Sequence, residues 1–343
     1  MTLNIWFNRW FSTVTHYIEM IRNNPDERHV TIFGTHPNPE AVYLKYCDYQ
    51  ETEPGIKGEA YINYCLNFCK INRIDVFIPR KENVLISQHI AEFEDIGVKV
   101  LVCSDDDLMR TLDHKVEMYR SLEQKKSEGK DIISVPAYRV VRSAEQFKEA
   151  YEEMKRDNKR LCLKPAVGEG ALGFRIIDER ADSLSFLLNT NSSNKITFEH
   201  VYQILNQVKD FPELMLMEYL SGTEYSIDCL ADRNGKLYAA VPRKKGSGRI
   251  RELVADERLL QIADQMAAEY KIPFIYNIQV KYQGTEPKLL EINPRMSGGL
   301  HFSCLAGVNF PYLAVKLLLG EKVDMPSVEM GVKATYIEQP VIL

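Results

Sequence analysis

The sequence predicts a mixed α/β and α+β protein, and three observations predict it. Short apolar runs alternate with helix-like segments along the chain. Strand and helix patterns follow one another in βαβ order between residues 30 and 103, which implies a small parallel sheet. Further on, paired period-2 runs separated by turn residues read as hairpins. At 343 residues the chain is long for one core, so two or three subdomains are expected.

Trp6, Trp10, Phe11, Val14, Ile18 and Ile21 have helical spacing, interrupted by Arg9, His16 and Glu19, so residues 1–28 read as a packing helical extension. This stretch is too polar for a membrane span, and it lacks the unbroken apolar core and cleavage site of a signal peptide. Its exposed-looking aromatics make a homodimer a further expectation, with membrane-surface contact as an alternative. Residues 30–34 read as the first strand, 61–70 as a helix, 74–79 as a strand, 84–95 as a helix and 98–103 as another strand. Together they outline an N-terminal parallel-sheet domain over 29–107. Gly34-Thr35-His36 lacks the later glycines of a dinucleotide fingerprint, which argues against an NAD role.

Residues 108–125 are helix-like and carry Lys115 after Asp113-His114. Ser143 and Gln146 have capping-box spacing and open a helix that runs to about residue 158. The strand 161–165 carries Lys164 and leads into Gly168, Gly170 and Gly173, after which 174–177 reads as a second strand. Glycines let backbone N–H groups approach phosphate oxygens, and Lys164 adds a compact positive charge, although a flexible hairpin has the same pattern. Residues 189–194 form a polar linker. Residues 213–220 are a strand, and 225–231 and 236–241 form a hairpin through Asp232-Arg233-Asn234-Gly235. Arg243, Lys244, Lys245, Arg249 and Arg251 surround Gly246 and Gly248 and read as a mobile cationic loop, either solvated or anion-binding. Arg243, nearest the strand, is its best catalytic candidate.

Composition narrows the partners. A formal net charge of −5 with interspersed signs gives no electrostatic case for nucleic acid. Small-molecule chemistry fits better. Seven cysteines scattered among apolar runs suit buried thiols in the reducing cytoplasm, and Cys65 and Cys69 have no matching pair that would make a metal site.

The richest chemistry lies between residues 275 and 299. Asn277, Gln279 and Lys281 alternate with Ile278, Val280 and Tyr282, Gly284-Thr285 supplies a turn, and a second strand ends in Glu291-Ile292-Asn293-Pro294-Arg295. Pairing about Thr285 sets Gln279 opposite Glu291 and brings Asn293 to the same polar side. An isolated Glu-x-Asn would be an ordinary solvated hairpin face; the partner strand and Arg295 reverse that reading. Three oxygen donors without Cys or His favour magnesium, held with phosphates, over zinc. Pro294 ends the pairing and leaves Arg295 and Ser297-Gly298-Gly299 at the mouth of the site.

These motifs resemble the ATP-grasp superfamily, and more narrowly the ATP-binding domains of the carbamoyl-phosphate synthase large subunit and related carboxylate–amine ligases. The resemblance runs in order over roughly residues 108–320, with Glu-Ile-Asn-Pro-Arg and its Ser-Gly-Gly as the most specific part. It implies an ATP-grasp domain over 108–343, with a small nucleotide-binding lobe at about 130–220, behind a pre-ATP-grasp domain that helps form the acceptor site. It also implies that Lys115 reaches the nucleotide phosphates, a position otherwise read as a solvated helix lysine. Glu218-Tyr219-Leu220 then resembles the adenine hinge, with Leu220 supplying backbone bonds and Glu218 and Glu224 standing near adenine and ribose.

The implied activity is ATP-dependent joining of a small-molecule carboxylate to an amine through an acyl phosphate, with Mg2+ or Mn2+ on Gln279, Glu291 and Asn293. Arg295 then holds the acceptor carboxylate and the acyl phosphate. Gln279 replaces an acid common in the superfamily, as it does in carbamoyl-phosphate synthase domains. Only one ATP-binding unit is evident where the complete synthase needs two, which argues against carbamoyl phosphate as the product. A non-catalytic nucleotide-binding regulatory module and a carboxylate kinase are the alternatives.

Overall fold

The computed structural model describes residues 2–157, 160–168, 170, 172–181 and 194–342. The expected linker at 189–194 lies outside the described residues except for Asn194, and so do two members of the glycine loop, Glu169 and Ala171. The chain divides into two compact units. One comprises 1–112, 223–280 and 292–343; the other comprises 113–222 and 281–291.

The first unit opens with a five-stranded sheet. Its strands are β1 (Leu3–Asn8), β2 (Val30–His36), β3 (Tyr49–Thr52), β4 (Val76–Pro79) and β5 (Lys99–Val100), in the order β3-β2-β1-β4-β5. Every pairing is parallel, as the βαβ order predicts. The N-terminal segment departs from expectation. Residues 3–8 are the central strand rather than part of a helical extension, and the helix begins only at Val14–Arg22. A strand covered on both faces is apolar throughout and lacks alternation, so Ile5, Trp6 and Phe7 blended into the helical stripe that follows. Trp6 and Trp10 are 0% and 2% exposed, and the Trp6 ring stacks on Phe77 at 4.0 Å. These indoles are core, which removes the exposed aromatic face offered as a dimer contact.

Two other expected helices are each broken. Residues 84–95 form Asn83–Gln88 and Ile90–Asp95, interrupted at His89. Residues 108–125 fall in Asp106–Asp113 and Lys115–Ser127, because His114 adopts extended backbone and its ring accepts from Glu117 N. The N-cap geometry makes Lys115 the first helical residue.

The second unit holds a five-stranded sheet of β6 (Tyr138–Val141), β7 (Leu161–Pro165), β8 (Arg175–Ile177), β9 (Lys195–Ile196) and β10 (Leu214–Glu218), ordered β6-β10-β7-β8-β9. Its core joins Leu163 and Leu216 of the sheet to Phe147 of helix Ala144–Lys155 and Val201 of helix Phe198–Asn206. Ser143 Oγ caps the former helix by accepting from Gln146 N at 3.1 Å, and Gln146 Oε1 accepts from Arg142 N at 2.9 Å.

The third sheet contains β11 (Glu224–Ala231), β12 (Leu237–Lys245), β13 (Arg251–Leu253), β14 (Ile275–Gln283), β15 (Glu286–Asn293) and β16 (Lys333–Ala334), ordered β15-β14-β11-β12-β13-β16. Arg243, Lys244 and Lys245 belong to β12 and pair with Leu253, Glu252 and Arg251, so the expected mobile cationic loop shrinks to the turn around Ser247. The charged residues flanking this turn satisfy their backbone groups in the ladder, which composition alone could not reveal. Leu230 and Val241 of this sheet share a core with Ile5, Phe7 and Ile78 of the parallel sheet.

Candidate functional site

In the second unit, helix Lys115–Ser127 presents Lys115 and Tyr119, one turn apart, to the tip of β15. Lys115 is 6% exposed; its Nζ donates to Gly168 O at 2.7 Å and lies 3.4 Å from Glu291 Oε2. Tyr119 Oη is 2.9 Å from Leu289 O and 3.0 Å from Leu290 O, which fixes that strand against the helix. Lys164 Nζ donates to Leu290 O at 3.3 Å. Burial and the neighbouring Lys115 charge push Lys164 down to about 8, against an upward pull from Glu291. Two expected phosphate lysines, one loop glycine and the motif glutamate therefore come together.

The loop geometry is glycine-dependent. Gly170 and Gly173 have φ of 61° and 74°, and a Cβ on Gly173 would sit 2.9 Å from the Pro165 ring.

The hinge follows β10. Tyr219 N donates to Arg160 O at 2.6 Å, and its ring lies 4.7 Å from the Arg160 guanidinium and 5.2 Å from Lys281 Nζ. Leu220 is 4% exposed, and among the described residues neither its N–H nor its C=O takes a backbone partner. The Glu218 carboxylate is ion-paired with Lys288, and both line a cavity of about 500 Å³ with Ala137, Tyr138 and Arg120.

In the first unit, Arg243 is 7% exposed and Asp228 1%. Arg243 Nη2 donates to Asp228 Oδ2 at 3.2 Å and to Ser297 Oγ at 3.4 Å; Nε lies 3.4 Å from Ser303 Oγ. Asp228 also accepts from Asn277 Nδ2 at 2.7 Å, Ser297 Oγ at 2.7 Å and Ser303 Oγ at 2.6 Å. Asn277 is thus fully buried, although the alternation puts it on the polar side of a half-buried strand. The guanidinium crosses Gly299, where a Cβ would come within 2.6 Å of it. Tyr17 Oη donates to Ser297 O, so both ends of Ser297 are held. Arg295 Nη2 donates to Asn293 Oδ1 at 3.0 Å, and Glu224 pairs with Lys245 at 3.2 Å. Glu291 and Asn293 are two residues apart on β15 and share a face, and β14, which carries Gln279, is the adjacent strand.

Sequence reasoning missed Tyr119, Lys288 and the Asp228 network. Helical i,i+4 spacing from Lys115 could have flagged Tyr119. Asp228 sits in a strand among apolar residues, a setting in which a buried acid needs partners.

Residues 210–340 match a family described as ATP-grasp in the biosynthetic pathway with Ter operon. Human (Homo sapiens) carnosine synthase 1 is 25% identical over 191 residues, covering 48% of this chain and 22% of that protein. The chain thus spans about a fifth of this curated relative. Among solved structures, the biotin carboxylase domain dimer of Hydrogenobacter thermophilus 2-oxoglutarate carboxylase, in complex with MgADP, ADP and bicarbonate, superposes with a TM-score of 0.68 at 11% identity. That match covers 96% of this chain and 73% of the other. Bacillus licheniformis L-amino acid ligase gives a TM-score of 0.63 at 14% identity, covering 92% and 74%. The chain therefore shares the fold of these ATP-grasp enzymes, and over residues 210–340 its sequence matches an ATP-grasp family as well.

Proposed function

We propose that the chain is an ATP-dependent carboxylate–amine ligase that forms an amide or peptide-like bond through an acyl phosphate. The observation that carries this is the convergence of Lys115, Lys164, Gly168 and Glu291 in one unit. Two buried ammonium groups about one carboxylate and a glycine turn form an anion site with one negative group of its own. The nature of the similar proteins agrees: one is named a carnosine synthase and another an L-amino acid ligase.

A carboxylate resists amine attack because its oxygen leaves poorly, so phosphorylation must come first. In this reading Lys164 and the glycine loop hold the transferred phosphoryl group, while Lys115 moves between Gly168 O and the phosphates. Leu220 reads adenine through its backbone groups. Arg295 receives the acceptor carboxylate, and Arg243 neutralises charge on the acyl phosphate from its seat across Gly299. The amine then displaces phosphate, and no nucleophilic side chain is needed.

Gln279, Glu291 and Asn293 are the proposed metal residues. The donor set fits magnesium: Gln279, Glu291 and Asn293 offer only oxygens, and too few to fill an octahedral shell, which phosphates and water would complete. A bound magnesium ion would supply charge neutralisation on the phosphates. Manganese is proposed as a substitute and the cytoplasm as the compartment; a homodimer is proposed on the likeness to a biotin carboxylase domain dimer, since the N-terminal indoles are buried. The seven free cysteines suit a reducing compartment. Among the described residues, no helix is long and apolar enough to cross a membrane.

The test is ADP release by the purified chain across pools of acids and amines. Release that needs one member of each pool is the expected result. Release without any amine would assign a carboxylate kinase, and nucleotide binding without turnover would assign a regulatory module.

A further inference from the structure

One buried polar group near Arg243 has no partner. His301 is 9% exposed, and among the described residues neither Nδ1 nor Nε2 makes a hydrogen bond. It lies between Gly299, against which the Arg243 guanidinium rests, and Ser303, which donates to Asp228. Aromatic rings surround it: His16 stacks on it at 4.7 Å, with Phe302 at 4.5 Å and Tyr336 at 5.5 Å. His16 is itself exposed and covers one side of the buried ring.

Burial, His16 and the Arg243 and Arg251 charges outweigh Asp228 and push His301 down to about 4, so the ring is neutral at physiological pH. A neutral imidazole carries one N–H donor and one lone-pair acceptor. Leaving both unpaired in a buried site is costly, and a ligand that pairs them removes the cost.

We infer that His301 is a specificity-determining residue that reads the side chain of an amino-acid substrate, selecting one whose hydroxyl, amide or imidazole both donates and accepts a hydrogen bond. The inference rests on the ligase reading for its substrate class. Arg295 and Arg243 deal with the anionic end of the substrate, and the uncharged His301 is suited to a neutral polar group. The surrounding rings contact the aliphatic or aromatic body.

The experiment compares wild type, His301→Phe and His301→Gln in ADP release over a panel of amino acids with polar and apolar side chains. His301→Phe keeps the stacking and should raise KM for the preferred polar substrate about tenfold or more, with kcat and the KM for ATP nearly unchanged. His301→Gln, which retains a donor and an acceptor, should recover most of that loss. Apolar amino acids should be unaffected by either change. An equal KM change for polar and apolar substrates, or none, overturns the assignment. If wild type releases no ADP with any acid and amine pair, the ligase reading fails, and calorimetric titration of the same amino acids judges His301 alone. Tighter binding of polar members that His301→Phe abolishes would sustain the role, and no such difference would end it.

Discussion

The two units handle buried cations in opposite ways. In the first, Arg243 is fixed by Asp228, whose carboxylate collects Asn277, Ser297 and Ser303 as well. In the second, Lys115 and Lys164 donate to backbone carbonyls, and the Glu291 carboxylate lies 3.4 Å from Lys115. A guanidinium whose carboxylate is saturated with donors stays in place whether or not a ligand is bound. Ammonium groups held by carbonyls are under-neutralised and can transfer to phosphate oxygens. The difference separates a cation fixed in place before any ligand arrives from cations free to shift toward one.

The contrast can be broken most sharply at Asp228. Asp228→Ala leaves Arg243 buried without its anion and should cost about 3–5 kcal/mol in urea unfolding; an unchanged midpoint would show that Arg243 needs no such anchor. Glu291→Gln is the complementary change. It should lower ADP release roughly 10²–10³-fold with little loss of stability, and a variant that retains magnesium-dependent turnover would remove Glu291 from the phosphate and metal chemistry.

Lys164 sharpens the comparison through pH. Its folded value of about 8 lies below the ordinary lysine value of 10.5, so the unfolded chain binds more protons between these limits and stability should rise as pH increases through that window. Phosphate binds the protonated form, so nucleotide affinity should weaken about tenfold per pH unit above that value. Titration calorimetry between pH 7 and pH 10 measures it, and Lys164→Met should flatten the slope. The smallest effect is a control within the second unit. Ser143→Ala removes a helix cap and should cost about 1 kcal/mol while leaving the KM for ATP as it was; a changed KM would tie that helix to the nucleotide.

Legibility followed the local pattern. The strand Leu161–Pro165 has the same bounds in sequence and structure because its short apolar run ends in a lysine and a proline. The hairpin around Gly284 was visible from alternation on both sides of a turn. The central strand Leu3–Asn8 was hidden because two buried faces erase the period-2 signal. His114 ended a helix that amphipathic spacing would have continued, since capping by an imidazole leaves no trace in periodicity. Asp228 collects partners from as far as 75 residues away, a constellation that no window along the chain can contain. For the same reason the pairing of Lys288 with Glu218, 70 residues away, leaves no local signal.

The Ser-Gly-Gly turn leaves its two glycines with unequal freedom to diversify. A methyl at 299 would come within 2.6 Å of the guanidinium that Asp228 pins, whereas one at 298 would meet only the Phe11 ring edge at 3.4 Å. A saturation library at position 299 should therefore return a single survivor, while position 298 tolerates small replacements. Any laboratory lineage of this chain selected for a new substrate would have to travel around 299 rather than through it.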